Sequence, residues 1–140
     1  MKNMVLLIDT NIILDFFMDR NYYLEETKQI FNKIHSREIT GVIAAHTINN
    51  LWFILRKQFT SQQRREIISS LLNLFEISSL NKDKLLAAIQ RDNYSDFEDC
   101  LQDECAAAVH ADFIITRDKN DFKNSKIKAL LPGEALKILF

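Results

Sequence analysis

The chain has 140 residues, of which 47% are hydrophobic, and it contains only two glycines and one proline. This composition predicts one domain, residues 1–140, with a substantial core, and it excludes a disordered or fibrous chain. The net charge of −1 excludes a protein that coats nucleic acid by positive charge alone. No apolar run is long enough to cross a bilayer, and the start does not resemble a signal peptide, so we expect a cytoplasmic protein without membrane contact.

The first predicted element is a short buried strand over residues 4–9, where an apolar run ends in an aspartate. Apolar residues at helical spacing predict an amphipathic helix over residues 21–38. Further strands are predicted at residues 39–45, 74–78, 111–118 and 127–131. Further helices are predicted at residues 46–59, 61–75, 81–92, 95–111 and 132–140.

The helix at residues 95–111 has a clear predicted start, because Ser95 is followed three residues later by Glu98, as in a capping box. Across the chain, strands alternate with helices, and the strands are continuous apolar runs. This pattern is typical of a parallel sheet covered on both faces. Ligands of such sheets bind outside the carboxyl ends of the strands, which is where Asp9 lies.

Four aspartates are predicted near this edge of the sheet. Asp9 and Asp118 follow apolar strands, while Asp96 and Asp99 lie in the first turn of a predicted helix, on neighbouring surface positions. Four carboxylates cannot all ionise side by side without a cation. Hard oxygen ligands favour Mg²⁺ or Mn²⁺, which activate water and stabilise an in-line phosphoryl displacement.

Each aspartate also has a structural explanation. Aspartate forms turns after strands, and acidic residues in the first turn of a helix interact favourably with the helix dipole. For Glu98 we expect only this dipole interaction. We expect Asp15, Asp19 and Asp103 to be solvated surface charges.

Three stretches, IDTNIILDFF, DFEDCLQDECAAAVHADFIITRD and KNDF, resemble the PIN domain family, most closely its small single-domain bacterial members, which include VapC-type toxins. The resemblance covers about residues 4–135. It implies a three-layer α/β sandwich with a central, mostly parallel sheet of four to five strands flanked by helices. It also implies a ribonuclease that hydrolyses RNA phosphodiester bonds with Mg²⁺ or Mn²⁺. A homodimer is implied as well and, for the toxin of a toxin–antitoxin pair, a small antitoxin partner.

The resemblance also implies roles for individual residues. Carried over position by position, the family's acidic metal ligands match Asp9, Asp99 and Asp118, and Asp96 matches an additional catalytic acid of this subgroup. Asn11 and Thr116 match polar residues that orient the acidic centre.

One family position lacks its acid. The family's second acid lies on the helix after the second strand, and its place falls on Asn50, with no Asp or Glu anywhere in residues 39–65. Asparagine offers a neutral oxygen, so we assign Asn50 an orienting role. Two functions remain open: a nuclease that holds one metal with Asp9, Asp99 and Asp118, or a catalytically impaired PIN-like module that binds RNA or protein.

Three basic residues, Arg117, Lys119 and Lys123, flank Asp118. Cations at the rim of a pocket attract polyanions, so these residues are predicted to contact RNA phosphates. Ordinary solvated surface is the alternative for all three.

Overall fold

A computed structural model describes residues 3–92 and 96–139. Its centre is a five-stranded sheet in which every neighbouring pair is parallel. The strands are β1 Val5–Ile8, β2 Thr40–Ala44, β3 Glu76–Ser78, β4 Phe113–Ile115 and β5 Ala129–Leu130. Their spatial order is β3-β2-β1-β4-β5. The parallel sheet predicted from the alternation of strands and helices is therefore confirmed.

The described residues form seven α-helices and two short 3₁₀ turns. The helices are α1 Thr10–Phe17, α2 Leu24–His35, α3 Ala45–Ile54, α4 Ser61–Leu74, α5 Lys82–Ile89, α6 Phe97–Ala108 and α7 Pro132–Leu139, and the 3₁₀ turns are Leu55–Lys57 and Lys119–Phe122. Six of the helices were predicted, whereas α1 lies in a stretch to which the sequence analysis assigned no element. Within the part of the chain described, no helix is long and apolar enough to span a membrane.

The sheet is buried on both faces. Successive side chains of a strand point to opposite faces, and in β1 Leu6 and Ile8 belong to one hydrophobic cluster while Leu7 belongs to another. The first cluster includes Ile30 of α2, and the second includes Cys105 of α6. This two-sided burial explains why the strands read as continuous apolar runs.

Strand β2 makes a close approach to its neighbours at Gly41. A Cβ atom there would lie 2.6 Å from Ile34 Cδ1 and 2.7 Å from the Phe75 ring. Real Cβ atoms essentially never come this close to another atom, so the packing of α2 and Phe75 on the sheet requires glycine at this position.

The prediction of solvated charge was wrong for Asp103. Its side chain is fully buried on α6, and one carboxylate oxygen accepts a 2.7 Å hydrogen bond from the Arg91 guanidinium. The backbone N–H groups of Lys126 and Ile127 donate to the same carboxylate at 2.7 and 3.1 Å. This carboxylate therefore fastens the segment before β5 to α6.

The prediction was also wrong for Asp15, which is 2% exposed on α1. Its carboxylate lies 3.0 Å from Arg117 Nε and 3.4 Å from Arg20 Nη1. Both aspartates can be buried because cations that the fold brings near compensate their charge. Asp19 is exposed, as predicted.

The strand order places a topological switch point beside β1. The chain builds β1, β2 and β3 toward one edge and then adds β4 and β5 on the opposite side of β1. Open parallel sheets bind ligands in the crevice outside the carboxyl ends of the strands at such a point. Here that crevice lies beyond Ile8 of β1 and Ile115 of β4, which are partners in the ladder.

Candidate active site

Asp9 lies directly after β1 and connects β1 to β4 at the switch point. Its backbone N–H donates to the Ile115 carbonyl of β4 at 2.9 Å. The Thr116 hydroxyl donates to Asp9 Oδ2 at 3.0 Å and accepts the backbone N–H of Asp118 at 3.1 Å. Asp9 is only 7% exposed. The structure therefore fixes one oxygen of a buried carboxylate through a hydroxyl at the end of the neighbouring strand.

A buried amide lies behind Asp9. Gln102 of α6 donates from Nε2 to the hydroxyls of Thr10 and Thr47, at 3.0 and 3.2 Å, and lies 3.5 Å from Asp9 Oδ1. The two hydroxyl oxygens are 2.8 Å apart. This network links α1, α3 and α6 beneath the carboxylate. The sequence analysis missed it, because its members come from three distant segments.

The start of α6 brings in the next carboxylates. Asp96 is the N-cap, and its Oδ1 accepts the backbone N–H groups of Glu98 and Asp99 at 2.7 and 3.3 Å. Ser95, the predicted cap, lies outside the described residues. The Asp96 side chain is therefore engaged at the helix terminus.

Burial raises the pKa of Asp99 from 3.8 to about 7, and the charges of Asp96, Asp121, Asp9 and Glu98 add to this shift. The acids that act on Asp99 therefore come from β1, from the start of α6 and from the 3₁₀ turn after β4. Crowding of this kind favours the protonated form, because neighbouring negative charges repel the carboxylate.

Burial likewise raises the pKa of Asp9, from 3.8 to about 6. The hydrogen bond from Thr116 lowers it, while the charges of Glu98 and Asp121 raise it further. The pKa of Asp9 is thus affected by acids of α6 and of the 3₁₀ turn. This coupling relates Asp9 to the start of α6, and the convergence of Asp118 on the same region stays a prediction.

Asp121 is an acid of this region that the sequence analysis missed. Burial raises its pKa first, followed by the charge of Asp118 and a hydrogen bond with it. Asp118 is exposed, and Asp121 lies three residues later in the 3₁₀ turn. The spacing i, i+3 in the stretch RDKND was the available signal, because it places both side chains on one side of a helical turn.

Asn50 contacts the acidic region through a hydrogen bond to Glu98. The Asn50 Nδ2 group on α3 donates to Glu98 Oε1 at 3.2 Å, a contact between residues 48 positions apart. Burial and the charge of Asp96 raise the pKa of Glu98, while the bond from Asn50 lowers it. Glu98 therefore does more than occupy a favourable helix start, which was the only role expected for it.

Arg117 is half-buried and pairs with a buried carboxylate. Its Nε lies 3.0 Å from the buried Asp15 carboxylate, and its guanidinium carbon lies 4.6 Å from the centre of the Tyr22 ring. Its first identifiable role is to compensate the charge of Asp15. Contact with a phosphate remains a prediction for this residue.

The other predicted residues lie at the surface. Lys119 forms a 3.0 Å ion pair with Glu134 at the start of α7. Lys123 and Asn11 are exposed. Phosphate binding by the two lysines, and an orienting role for Asn11, remain predictions.

The acidic group has the donor atoms of a divalent-metal site, but these atoms are not arranged to hold an ion. In residues 3–92 and 96–139, no three His, Cys, Asp or Glu side chains are grouped closely enough to hold a metal ion. The donors are nevertheless hard oxygens, and Asp9 and Asp99 carry raised pKa values that a nearby cation would lower. These donors match Mg²⁺ or Mn²⁺ in chemical type, although the side chains of the described residues do not converge closely enough to hold the ion.

Fold and site together define a parallel α/β protein with a buried aspartate, Asp9, at the switch point of its sheet. The family model described as "PIN domain" matches residues 5–120. The chain belongs to the PIN domain family. This confirms the family resemblance found in the sequence.

Solved structures of toxin–antitoxin proteins share the fold. VapBC2 from Rickettsia felis, bound to a DNA fragment from its promoter, gives a TM-score of 0.70 at 15% identity, over 91% of this chain and 98% of that one. A toxin–antitoxin complex from Klebsiella pneumoniae gives 0.68 at 23% identity, over 91% and 97%. VapC20 from Mycobacterium tuberculosis, a sarcin–ricin loop cleaving toxin, gives 0.60 at 11% identity, over 78% and 86%. A search of curated protein sequences gave no match.

Proposed function

We propose that this PIN-domain protein is a metal-dependent endoribonuclease that hydrolyses RNA phosphodiester bonds in the cytoplasm, and that it is the toxin of a toxin–antitoxin pair. The observation that supports this most directly is the buried carboxylate of Asp9, which the Thr116 hydroxyl holds at the switch point of the sheet. A buried carboxylate whose pKa is raised by its surroundings is costly to keep unless it serves a cation or a reaction. A cleaving activity is suggested by VapC20, a sarcin–ricin loop cleaving toxin that shares the fold.

In this proposal Asp9, Asp99 and Asp118 hold the metal, and Asp96 assists from the edge of the group. A bound Mg²⁺ or Mn²⁺ would supply an activated water and would neutralise charge on the phosphate. The Thr116 hydroxyl fixes Asp9 Oδ2, and Gln102 restrains the opposite side of the same residue. Their effect is to hold a carboxylate in place before the cation arrives, which lowers the cost of binding.

Lys119 and Lys123 are proposed to meet RNA phosphates at the rim. The ion pair between Lys119 and Glu134 is solvent-exposed on both sides, and such pairs contribute little energy. Lys119 can therefore exchange its partner for a phosphate at little cost. Arg117 would have to leave a buried carboxylate, so we assign it a smaller share of RNA binding.

A small antitoxin and a homodimeric state complete the proposal. The similar structures from Rickettsia felis and Klebsiella pneumoniae are toxin–antitoxin assemblies. We expect the chain alone to sediment as a dimer. If a short reading frame lies beside its gene, co-expression of the two should yield a complex in which cleavage is blocked.

The test is cleavage of single-stranded and stem-loop RNA by the full chain, with Mn²⁺, with Mg²⁺ and with EDTA. Loss of several kcal/mol of charge stabilisation corresponds to a rate decrease of about 100-fold or more, which is the effect expected for Asp9→Asn. The matched control is Asp83→Asn, an exposed aspartate in the first turn of α5, which should cleave like wild type.

Two results would contradict the proposal. Cleavage that survives both EDTA and Asp9→Asn would come from a contaminating nuclease. Absence of cleavage in wild type, combined with retained RNA or protein binding, would favour the alternative of a catalytically impaired binding module, for which the amide at Asn50 is the motivating observation.

A further inference from the structure

Next to the candidate site, a loop holds an exposed tyrosine against an arginine. Residues 18–23 connect α1 to α2, and Tyr22 in this loop is 54% exposed. The guanidinium carbon of Arg117 lies 4.6 Å from the centre of the Tyr22 ring, which is within the range of a cation–π contact. The ring is therefore only partly covered by Arg117 and can take a second stacking partner.

A buried carboxylate fixes the arginine of this pair. Asp15 Oδ2 lies 3.0 Å from Arg117 Nε, and Asp15 Oδ1 lies 3.4 Å from Arg20 Nη1. Arg20 belongs to the same loop as Tyr22, and its backbone N–H donates to the Asp15 carbonyl at 2.9 Å. Because Asp15 is buried, water screens these contacts little. One side chain of α1 therefore holds both Arg117 and the loop.

The loop has a costly backbone conformation on both sides of Tyr22. The angle φ is 57° at Asp19 and 55° at Tyr23, so both residues lie in the left-handed region. Aspartate tolerates this region, whereas a bulky residue such as tyrosine rarely adopts it. Residues in such conformations persist only where the surrounding structure fixes them, and they cluster at functional sites. The fold therefore holds the loop in a conformation that presents Tyr22.

Hydrogen bonds connect this pair to the buried aspartate at the switch point. Arg117 directly follows Thr116, whose hydroxyl donates to Asp9 Oδ2 at 3.0 Å. The same hydroxyl accepts the backbone N–H of Asp118, the residue after Arg117, at 3.1 Å. Consecutive residues thus contact Asp9 and the Tyr22 ring. An RNA strand bound beside Asp9 would therefore have Tyr22 within reach.

We propose that Tyr22 is a base-stacking residue for RNA and that Arg117 positions it. The ligand is an unpaired nucleobase of single-stranded RNA, which stacks on the open side of the ring. Proteins stack unpaired bases on aromatic rings and arginine planes, and every base offers a π-face for this contact. This inference rests on the proposed function, since it takes RNA as the ligand. It also gives Arg117, which is paired with Asp15, a role that needs no contact with a phosphate.

The competing explanation is a cover over a buried ion pair. Tyr22 could serve only to shield Asp15 and Arg117 from water, in which case loss of the ring would lower the melting temperature without changing RNA affinity. Phe53 of α3 offers a matched control with the same chemistry. Its ring is 60% exposed, and its centre lies 3.6 Å from the guanidinium carbon of Arg56, a residue that bonds to the Phe53 carbonyl.

The experiment is fluorescence anisotropy of the full chain with two labelled single-stranded RNAs of equal length, in EDTA so that cleavage does not interfere. One is oligoadenylate, and the other is an abasic strand with the same phosphates and no bases. Removing one stacking ring typically weakens binding by roughly 5- to 150-fold, and we expect a loss in this range for Tyr22→Ala with oligoadenylate. Affinity for the abasic strand should not change. Tyr22→Phe keeps the ring and Phe53→Ala removes a ring elsewhere, so both should bind like wild type.

A conservative change tests whether Arg117 acts through Tyr22. Arg117→Lys keeps a positive charge beside Asp15 and removes the planar guanidinium that lies against the ring. It should weaken binding of oligoadenylate and leave the abasic strand unaffected. In the Tyr22→Ala background the same change should have no further effect, because residues that act as one unit are not additive. Loss of abasic-strand affinity, or additive effects in the double variant, would overturn the positioning role.

The outcomes separate this inference from the proposed function. If Tyr22→Ala binds oligoadenylate like wild type while wild type cleaves RNA in Mn²⁺, the role of Tyr22 is refuted and the nuclease stands. Unchanged affinity with a lowered melting temperature would establish the cover over the ion pair instead. An equal loss in Phe53→Ala would mean that any exposed ring adds affinity, which also overturns the assignment. Base-dependent binding through Tyr22 without cleavage would support the inference and refute the nuclease. If wild type binds neither RNA, the role of Tyr22 falls, and the cleavage assay decides the proposed function by itself.

Discussion

Replacing Asp9 by asparagine should make the metal-free protein more stable at neutral pH, although it removes the central acid of the site. Asp9 is 7% exposed, and its pKa is raised to about 6, first by burial and then by the charges of Glu98 and Asp121. An ionised Asp9 is therefore a cost to the folded state. Asparagine has nearly the same shape, and its oxygen can still accept the hydrogen bond from Thr116.

The magnitude follows from the difference between the folded and unfolded pKa values. The unfolded value is 3.8 and the folded value about 6, and a difference of about two units corresponds to roughly 3 kcal/mol. Because the folded pKa is raised, the stabilising contribution is fully present below about pH 4 and is lost as the pH rises through about 6. Asparagine does not titrate, so its advantage over wild type should grow by roughly 3 kcal/mol between these limits.

The assay is urea unfolding of wild type and Asp9→Asn in EDTA, at intervals from about pH 4 to about pH 8. For a chain of this length, 3 kcal/mol corresponds to a melting-temperature difference of roughly 10 °C, which a thermal melt also resolves. Adding Mn²⁺ at the upper end of this range should reverse the order, because a ligand that binds only the folded wild type stabilises it by mass action.

A stability difference that stays constant over the whole pH range would refute the reasoning, because Asp9 would then ionise as it does in the unfolded chain. A difference that shrinks with rising pH would refute it more directly, since it would mean that the folded state favours the ionised carboxylate. If Asp9→Asn stays more stable than wild type after addition of Mn²⁺, cation binding does not explain why the protein has an aspartate at this position.

Two further predictions concern the scaffold, and urea unfolding checks both. Asp103→Ala leaves a guanidinium and two backbone N–H groups without their buried partner, so it should lower the free energy of unfolding by about 3–5 kcal/mol. Removal of the exposed Glu25 should change this free energy by less than about 0.5 kcal/mol. Equal effects of the two changes would refute the importance of burial. Gly41→Ala should lower the free energy of unfolding by about 1–3 kcal/mol, because its Cβ would meet side-chain atoms closer than 3 Å. Gly133→Ala has open space within a helix and should stabilise the protein by about 0.4–1 kcal/mol. A loss of stability at Gly133 would contradict the open space found around that residue.

The sequence was sufficient to predict the sheet because two-sided burial leaves a direct trace. Strands covered on both faces are continuous apolar runs, and β1 and β4 both carry that signature. Helix α1 was not predicted for the same reason. It begins at Thr10, with only Asp9 between it and β1, and residues 12–17 are mostly apolar like the strand before them, so no turn marks the boundary.

The site was predictable only where the signal was local. Asp9 and Thr116 follow strands, and that position alone indicates the edge where ligands bind. Gln102 carries no comparable signal, because its partners are hydroxyls far away in the sequence. Asp15 and Asp103 were misjudged for a related reason: whether a charge is buried depends on a cation that only the fold brings near.

The position of Asn50 shows why a family pattern transfers charge less reliably than it transfers fold. Strand order determines where the acidic group forms, since β1 and β4 must meet at the switch point for Asp9 to reach Thr116. A cation at that point is attracted by the sum of the nearby charges, and this sum does not record which helix contributes each one. The amide at Asn50 does not leave its surroundings without charge, because its Nδ2 group on α3 donates to the Glu98 carboxylate on α6.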